Sequence, residues 1–556
     1  MVYCGIKLTH DSSISILDGD NLLCCLELEK LDNNLRHSPF YSTLFEETFR
    51  KILRNTGIQP SGIDYFSIDG WNCSNVFGDE SLNSFQNRNV FYKGKNYFFD
   101  FYFYNFYAQN KIYISPYQSK EKEDAFILKG KNISFTHICN HITSSYCTSD
   151  FALEKEPSYI LVWDGGCFPS LYYFNGDTFS YKLELFPLDG NFYKAIPLLS
   201  AFAFKGNGSS PEDLFEKLIY ESSLPGKIMA FSSLGSPSSS FKKTLQKWMN
   251  HGADPAGLKI LIKNSGLSSP DLVATSSSFL EDILLNSLDV FLKKENKLGE
   301  NLCLAGGSFL NINWNSALRN SGLFKHIWAP PFINDSGSSI GAVCSARIAL
   351  EGKFPIKWNV YNGTPLDPKF CKESWAVREC SPREVAEILF NEKEPVVLLK
   401  GSSELGPRAL GNRSLLCNPC DPTMKDAINR IKGREYYRPV APVCLEEETP
   451  RLFSSNLKDP YMLFNYRATP LTKELCPSVI HLDGSARLQT ISPSDNPILY
   501  AILKEFKDLS GVGVLGNTSA NEKGCGFFSS IFDCQKWCNE VGVKYIYDGN
   551  FLFSVS

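Results

Sequence analysis

Three apolar runs, each stopping abruptly at an acid or a pair of glycines, constrain this chain more than any other feature. They are Val2-Tyr-Cys-Gly-Ile-Lys-Leu8 with His10-Asp11 just beyond, Tyr159-Ile-Leu-Val-Trp163 leading into Asp164-Gly165-Gly166, and Asn301-Leu-Cys-Leu-Ala305 leading into Gly306-Gly307. Short apolar runs bounded by turn residues read as buried strands. Backbone amides close on a phosphate only where side chains are absent, so the glycines suit anion-holding loops between two α/β lobes. After the first loop the pattern predicts a second strand, a turn at Asp18–Asp20 and a third strand over Leu22–Glu29. Ser308–Asn320 and the small-residue stretch Ser338–Ala349 are expected to be helical.

At 556 residues the chain exceeds one ordinary core, so at least two domains are expected. Gly352–Cys380 is rich in proline and polar residues with little period and is expected to hold the linker. The resulting division is 1–355, a linker at 356–380, and 381–556. Ser381 with Pro382 behind it reads as an N-cap opening a short helix to Phe390, and Pro395–Leu399 as a strand.

A formal net charge of -4 gives no overall field for nucleic acid or an anionic membrane, so neither is expected as a partner. No apolar run reaches the roughly 18 residues of a membrane helix, and Met1–Leu17 lacks the pattern of a secretory signal. A cytoplasmic monomer or homodimer is expected. The eighteen cysteines are irregularly spaced and read as free thiols, and Cys417-Asn-Pro-Cys420 has no second pair at zinc-finger distance.

Histidine is scarce, with seven in the chain, and two of them form His137-Ile-Cys-Asn-His141. Spaced four apart on a helical turn, their imidazoles can reach one metal. Asp335, in Asn334-Asp-Ser-Gly337, and Asp164 are candidates to complete the shell. Mixed His and carboxylate ligands suit Fe(II), Mn(II) or Zn(II), and the pattern does not choose among them.

The densest cluster of cations is C-terminal: Gly406-Pro-Arg408-Ala-Leu-Gly-Asn-Arg413-Ser414, then Asn429-Arg-Ile-Lys432-Gly-Arg434-Glu-Tyr-Tyr-Arg438-Pro-Val-Ala-Pro442. Glycine and proline break any i, i+4 rhythm, so these are read as convergent on phosphate rather than as a solvated helix face. His481-Leu-Asp-Gly-Ser-Ala-Arg487 and Asn517-Thr-Ser519-Ala-Asn521 add polar loops able to hydrogen-bond a phosphate or a carbamoyl amide.

Taken in order along nearly the whole chain, these stretches resemble the NodU/CmcH family of O-carbamoyltransferases. The resemblance rests on His10-Asp11, His137/His141, Asp164-Gly-Gly, Gly226-Lys-Ile-Met229, Ala305-Gly-Gly-Ser-Phe-Leu-Asn311, Asp335-Ser-Gly, GPRALGNRS, RPVAP, HLDGSARLQT and GNTSAN. It implies an α/β protein with an N-terminal actin-like (ASKHA) two-lobed domain followed by a YrdC-like α/β domain. The implied activity makes carbamoyl adenylate from carbamoyl phosphate and ATP, with Mg2+, then transfers the carbamoyl group to a hydroxyl of a small-molecule acceptor, as in secondary-metabolite biosynthesis.

Carried over by position, the resemblance implies that Arg408, Lys432, Arg434, Arg438, His481, Arg487, Asn517, Ser519 and Asn521 hold ATP and carbamoyl phosphate. It implies a divalent metal, Fe2+ first and Mn2+ or Zn2+ otherwise, on His137, His141, Asp335 and Asp164. Gly165, Gly166, Lys227, Gly306, Gly307 and Asn311 would contact the adenylate. His10 would be the base near the acceptor, with Asp11 and Asp164 beside it, because an alcohol attacks well only when a neighbouring base takes its proton. The family's ERxSRxKH pattern reads Glu29-Lys-Leu-Asp-Asn-Asn-Leu-Arg-His37 here, so its nucleotide-contacting lysine is absent or replaced by Arg36. The aromatic-rich segment 72–121 matches no family motif and is where acceptor specificity is expected.

Overall fold

The computed structural model describes residues 1–7, 10–31, 42–70, 85–92, 95–102, 112–116, 126–128, 131–205, 217, 220–372 and 374–555. They form two compact units: Met1–Glu29 with Arg36–Asn362, and Lys30–Leu35 with Gly363–Ser556. Arg36 and most of the 72–121 segment lie outside the described residues. The strands described in that region, Phe85–Tyr92, Lys95–Tyr102, Ile112–Pro116 and Phe126–Leu128, pair into an antiparallel sheet. No helix among the described residues is long and apolar enough to cross a membrane.

The first unit contains the same five-stranded sheet twice. In the first copy β1 (Val2–Lys7), β2 (Ser13–Asp18) and β3 (Asn21–Glu27) make an antiparallel meander. On its other edge β1 pairs in parallel with β4 (Tyr65–Gly70), and β4 with β5 (Lys131–Thr136), giving the order 3-2-1-4-5. The second copy repeats this with β6 (Ser158–Val162), β7 (Ser170–Phe174) and β8 (Phe179–Glu184) as the meander. There β9 (Asn301–Ala305) and β10 (Ile327–Trp328) are the parallel strands. A duplicated meander plus two parallel strands is the actin-like arrangement. β3 ends at Glu27, two residues short of the expected Glu29, because Leu28–Lys30 turns into a 3-10 helix.

Each sheet hands on to a helix at the same point. α1 (His137–Tyr146) follows β5 directly, capped by Thr136, whose side chain accepts from the Cys139 N–H. The long α2 (Ser269–Glu295) flanks the second lobe. The run expected as one helix from Ser308 is split into a 3-10 turn, Gly307–Leu310, and α3 (Ile312–Asn320). The break falls at Asn311, whose side chain caps the new helix by accepting from Asn313 N–H. α4 (Ser338–Glu351) follows β10. α1 and α4 pack against each other, and α4 also lies on β1 and β4. A Cβ on Gly341 would sit 2.0 Å from the Asn140 carbonyl oxygen, so only glycine admits this approach.

The second unit is built on an eight-stranded mixed sheet. Its strands are β11 (Trp375–Glu379), β12 (Val396–Leu399), β13 (Arg413–Cys417), β14 (Ala441–Leu445), β15 (Gln489–Ile491), β16 (Val514–Ser519), β17 (Tyr545–Tyr547) and β18 (Phe551–Val555). Their order is 11-18-17-12-13-16-14-15. The expected linker 356–380 is therefore divided. Residues to Asn362 belong to the first unit, and Trp375–Glu379 is an edge strand on which only Trp375 is buried. The helix opened by Ser381 has a full capping box with Glu384, runs as α5 over Pro382–Glu387, and widens into a π turn over Ile388–Glu392. The described cysteines are free thiols.

Candidate metal and anion sites

The first lobe ends its strands in charge. Lys7 closes β1 and Asp69 lies near the end of β4, both almost fully buried. The Lys7 ammonium lies 3.0 Å from Asp69 Oδ2 and 3.1 Å from Asp335 Oδ2. Asp69 also receives Asn140 Nδ2 at 2.7 Å and faces His137 Nδ1 at 3.0 and 3.1 Å. That contact fixes the imidazole and turns its Nε2 toward His141 Nε2, 3.0 Å away.

Asp335 Oδ1 lies 3.3 Å from His137 Nε2 and 3.4 Å from His141 Nε2, and Asp164 Oδ2 is 3.8 Å from His137 Nε2. One ligand atom from each of these four residues falls within 4.8 Å of all the others. Donors bound at about 2.1 Å with angles of 90–110° stand roughly 3.0–3.4 Å apart, so the two imidazoles and Asp335 already have the spacing of a coordination shell. Charge agrees: three carboxylates (Asp69, Asp164, Asp335) against one lysine leave a deficit that a divalent cation closes.

The carboxyls show this crowding. Burial pushes Asp335 up, but Lys7, then His137 and His10, outweigh it and hold the carboxyl well below the usual range. Burial likewise opposes the charge on Asp69 and is overcome by Lys7 and His137. Burial also works against a proton on His137, yet Asp69 chiefly, with Asp335 and Asp164, holds that imidazole well above its ordinary value. His10 stands at the edge with its side chain half-exposed and Nδ1 3.5 Å from Asp335 Oδ2, while Asp11 takes a left-handed backbone at φ 54.

The glycine loops close on Asp164. Gly307 N–H donates to Asp164 Oδ1 at 2.7 Å, and Ser308 N–H to the Trp163 carbonyl. Gly306 adopts φ 98, and a Cβ there would lie 2.4 Å from the Trp163 carbonyl oxygen. Asn191 N–H donates to the Gly165 carbonyl, and Gly166 is exposed. Asn311 spends Oδ1 on its cap, while its buried Nδ2 has no hydrogen-bond partner among the described residues. Lys227 is half-buried on a separate helix, Pro225–Phe231, which packs on α2.

In the second unit Arg408, Arg438 and Arg487 repel one another. Burial first, then Arg408 and Arg438, push the Arg487 guanidinium well below its ordinary value. No carboxylate pairs with Arg487 among the described residues, and its Nε is buried without a hydrogen bond. Arg438 also lies 3.8 Å from Glu435, and the buried Arg487 makes this group of guanidiniums a candidate site for an anion. His481 is kept neutral beside them, pushed down to about 4 by burial, with Arg487 and Lys425 adding to it, and its Nε2 is buried without a hydrogen-bond partner.

Other cations expected to meet phosphate are used differently. Lys432 is buried and donates to the Ser519 carbonyl at 2.9 Å, to Asn521 Oδ1 at 2.8 Å and to the Asn521 carbonyl, so it fastens the end of β16 and the turn beyond it. Arg413 is fully buried, and its guanidinium donates to the carbonyls of Phe528, Lys400, Asn412, Thr364 and Gly401. Arg434 reaches Thr518 Oγ1 at 2.8 Å and Ser519 Oγ at 3.4 Å. Asn517 donates to Gln489 Oε1 and the Ala409 carbonyl, and Asn521 to the Glu522 and Cys525 carbonyls.

Residues 2–344 match the family model described as carbamoyltransferase N-terminus, and residues 386–554 the model described as carbamoyltransferase C-terminus. The chain belongs to the carbamoyltransferase family. This carbamoyltransferase is 37% identical over 573 residues to nodulation protein U of Sinorhizobium fredii, covering 97% of this chain and 96% of the relative. It is 28% identical over 557 residues to the 3'-hydroxymethylcephem-O-carbamoyltransferase of Amycolatopsis lactamdurans, covering 98% and 97% of the two chains. A solved archaeal actin homologue covers 62% of this carbamoyltransferase at 11% identity and a TM-score of 0.31. The actin-like topology is evident from the strand order alone.

Sequence reasoning missed three residues that organise the carbamoyltransferase's two sites. Lys7 and Asp69 were signalled only as ionisable groups at the ends of apolar strands. Glu404 is fully buried, and its Oε1 accepts from the backbone N–H of Leu410, Asn412 and Arg413, holding the loop that carries Arg408.

Proposed function

We propose that this carbamoyltransferase works in two half-reactions, one on each unit. In the second unit, carbamoyl phosphate and water give carbamate and phosphate. A carbamate oxygen then attacks the α-phosphorus of ATP, expelling pyrophosphate and leaving carbamoyl adenylate. In the first unit an acceptor hydroxyl attacks the carbamoyl carbon, the bond to the adenylate oxygen breaks, and AMP departs. The observation that carries this reading is the pair of contrasting sites: guanidiniums gathered around the buried Arg487 in one unit, and a His2Asp2 cluster with the spacing of metal ligands in the other.

His137, His141, Asp335 and Asp164 would hold a divalent metal, Fe2+ or another of its kind, supplying positive charge where charge grows on the carbamoyl or phosphate oxygens. Asp69 fixes the His137 ring, and Lys7 fixes Asp69 and Asp335. His10, half-exposed beside Asp335, accepts the proton of the attacking hydroxyl. Gly307 N–H holds Asp164 in place, and the buried Asn311 Nδ2 is free to donate to the adenylate. Arg408, Arg438 and Arg487 bind the phosphates of carbamoyl phosphate and ATP, while Lys432, Arg434, Asn517 and Asn521 hold the walls of that site. The acceptor is a hydroxylated small molecule, in keeping with the hydroxymethylcephem named for one relative.

The test is pyrophosphate release by the metal-loaded full chain with ATP and Mg2+. Release that depends on carbamoyl phosphate supports the reading, and addition of one carbamoyl unit to a hydroxylated acceptor completes it. Turnover that needs threonine and bicarbonate instead would replace it with a tRNA-modifying chemistry, and no release at all would reduce the protein to a nucleotide-binding scaffold.

A further inference from the structure

The second unit is not made from the C-terminal half alone. Lys30–Leu35 belongs to it, although the chain on both sides belongs to the first unit. Lys30 is 1% exposed, and its ammonium donates to the Glu404 carbonyl at 2.9 Å and to the Gly406 carbonyl at 2.5 Å, residues more than 370 positions away. The ring of Phe527 lies beneath it, 4.8 Å from ring centre to Nζ. The next residue is fastened as well: Ser529 Oγ donates to the Leu31 carbonyl at 2.8 Å.

These carbonyls open the loop that carries Arg408. Gly406 turns with φ 81, and from the other side Glu404 Oε1 gathers the N–H groups of Leu410, Asn412 and Arg413. An ammonium on the carbonyls and a carboxylate on the amides brace the loop from both sides. A buried lysine is costly unless oxygen atoms accept its N–H hydrogen bonds, which the two carbonyls do here.

We propose that Lys30 is a positioning residue of the C-terminal anion site, clamping the Glu404–Gly406 turn so that Arg408 is aimed at the phosphate of carbamoyl phosphate. This rests on the two-half-reaction reading. Arg408 lies close enough to Arg487 to depress its guanidinium, so any drift of the turn loosens the whole cluster. Holding like charges together before the anion arrives requires this kind of rigid support.

The experiment uses the full chain as wild type, Lys30→Met, Lys30→Arg and Phe527→Leu. Carbamoyl phosphate binding is measured by calorimetry without ATP, and pyrophosphate release at varied carbamoyl phosphate. Lys30→Met is expected to weaken binding and raise the KM for carbamoyl phosphate by at least about tenfold. Lys30→Arg, which keeps charged donors, should recover to within about threefold, and Phe527→Leu should cost about threefold. Metal affinity of the first unit should be unchanged throughout. Lys30→Met with wild-type affinity and KM, altered only in melting temperature, would overturn the proposal. Should Lys30→Met fail to fold, unchanged affinity in Phe527→Leu overturns it instead. A wild type that binds carbamoyl phosphate yet releases no pyrophosphate would retire the adenylate chemistry while the affinities still decide the role of Lys30. A wild type that does not bind it would retire both.

Discussion

Replacing Asp69 with asparagine keeps the volume of the side chain and removes its charge. Asp69 spreads three donors over two oxygens: Asn140 Nδ2 on Oδ1, Lys7 Nζ on Oδ2, and His137 Nδ1 facing both. An amide offers one acceptor oxygen, and its NH2 must then point at a group that itself donates. His137 would lose the contact that fixes its tautomer and swing, and Lys7 would lean wholly on Asp335, drawing that carboxylate away from a metal. Removal of such a supporting carboxylate costs about 10–100-fold in metal affinity, or roughly 1.4–2.7 kcal/mol. Competition from Lys7 for Asp335 places the expectation at the upper end. Calorimetric titration of the full chain with Zn2+ or Mn2+, and with Fe2+ under anaerobic conditions, measures this directly. Melting without metal separates the cost to the fold, since breaking a buried pair destabilises by about 3–5 kcal/mol. An affinity within about threefold of wild type, in a variant that still melts cooperatively, would refute the claim that Asp69 orients His137.

His10→Ala should leave carbamoyl-phosphate-dependent pyrophosphate release intact and lower carbamoyl transfer by about 10²–10⁴-fold; equal loss of both half-reactions would remove His10 from the role of base. Arg408→Ala should abolish pyrophosphate release while metal affinity stays at the wild-type value, read by the same titration. His137 is held protonated in the metal-free protein, so metal binding must expel a proton; affinity should rise with pH up to the elevated value of that imidazole and fall below it. Titration at neutral pH in buffers of different ionisation enthalpy should report about one proton released. Gly341→Ala forces a methyl to within 2.0 Å of the Asn140 carbonyl and should cost about 1–3 kcal/mol in thermal melting, with metal affinity falling because α1 is displaced.

The glycine-ended strands and the four side chains that cluster as candidate metal ligands were legible because each carries a local pattern: an apolar run with a sharp stop, two histidines four apart, an acid before a small-residue helix. Lys7 and Asp69 carry none. A lone charge at the end of a strand looks like the point where the strand meets water, and only the folded chain shows that both side chains turn inward and meet. The cationic C-terminal run shows the converse limit. In sequence, Arg413 and Lys432 are as good phosphate ligands as Arg408, but backbone carbonyls converge on the first two, and no local pattern reports where carbonyls converge. Lys30 was hidden for a related reason, since its partners lie more than 370 residues away.

The duplicated sheet explains why this candidate metal shell can be assembled from three distant segments. In the first lobe β1 ends at Lys7, β4 carries Asp69, and β5 hands on to α1 with His137 and His141 in its first turns. In the second lobe β6 leads to Asp164, β9 to Gly306-Gly307, and β10 to Asp335 at the threshold of α4. The same three strand ends serve both times, so the two helices that close the sheets each present their N-terminal turns. Because α1 and α4 pack on each other through Gly341, those turns are brought face to face, and histidines from one copy meet the carboxylate of the other. The candidate site then lies where the two copies have diverged. One copy supplies the imidazoles, Lys7 and Asp69, the other Asp164, Asp335 and the glycines, and neither contains all four candidate ligands. Any change that slides one copy past the other by about the length of a hydrogen bond would separate these four side chains without altering any of them, so the small residues at the α1–α4 contact bear on the cluster as much as its own side chains do.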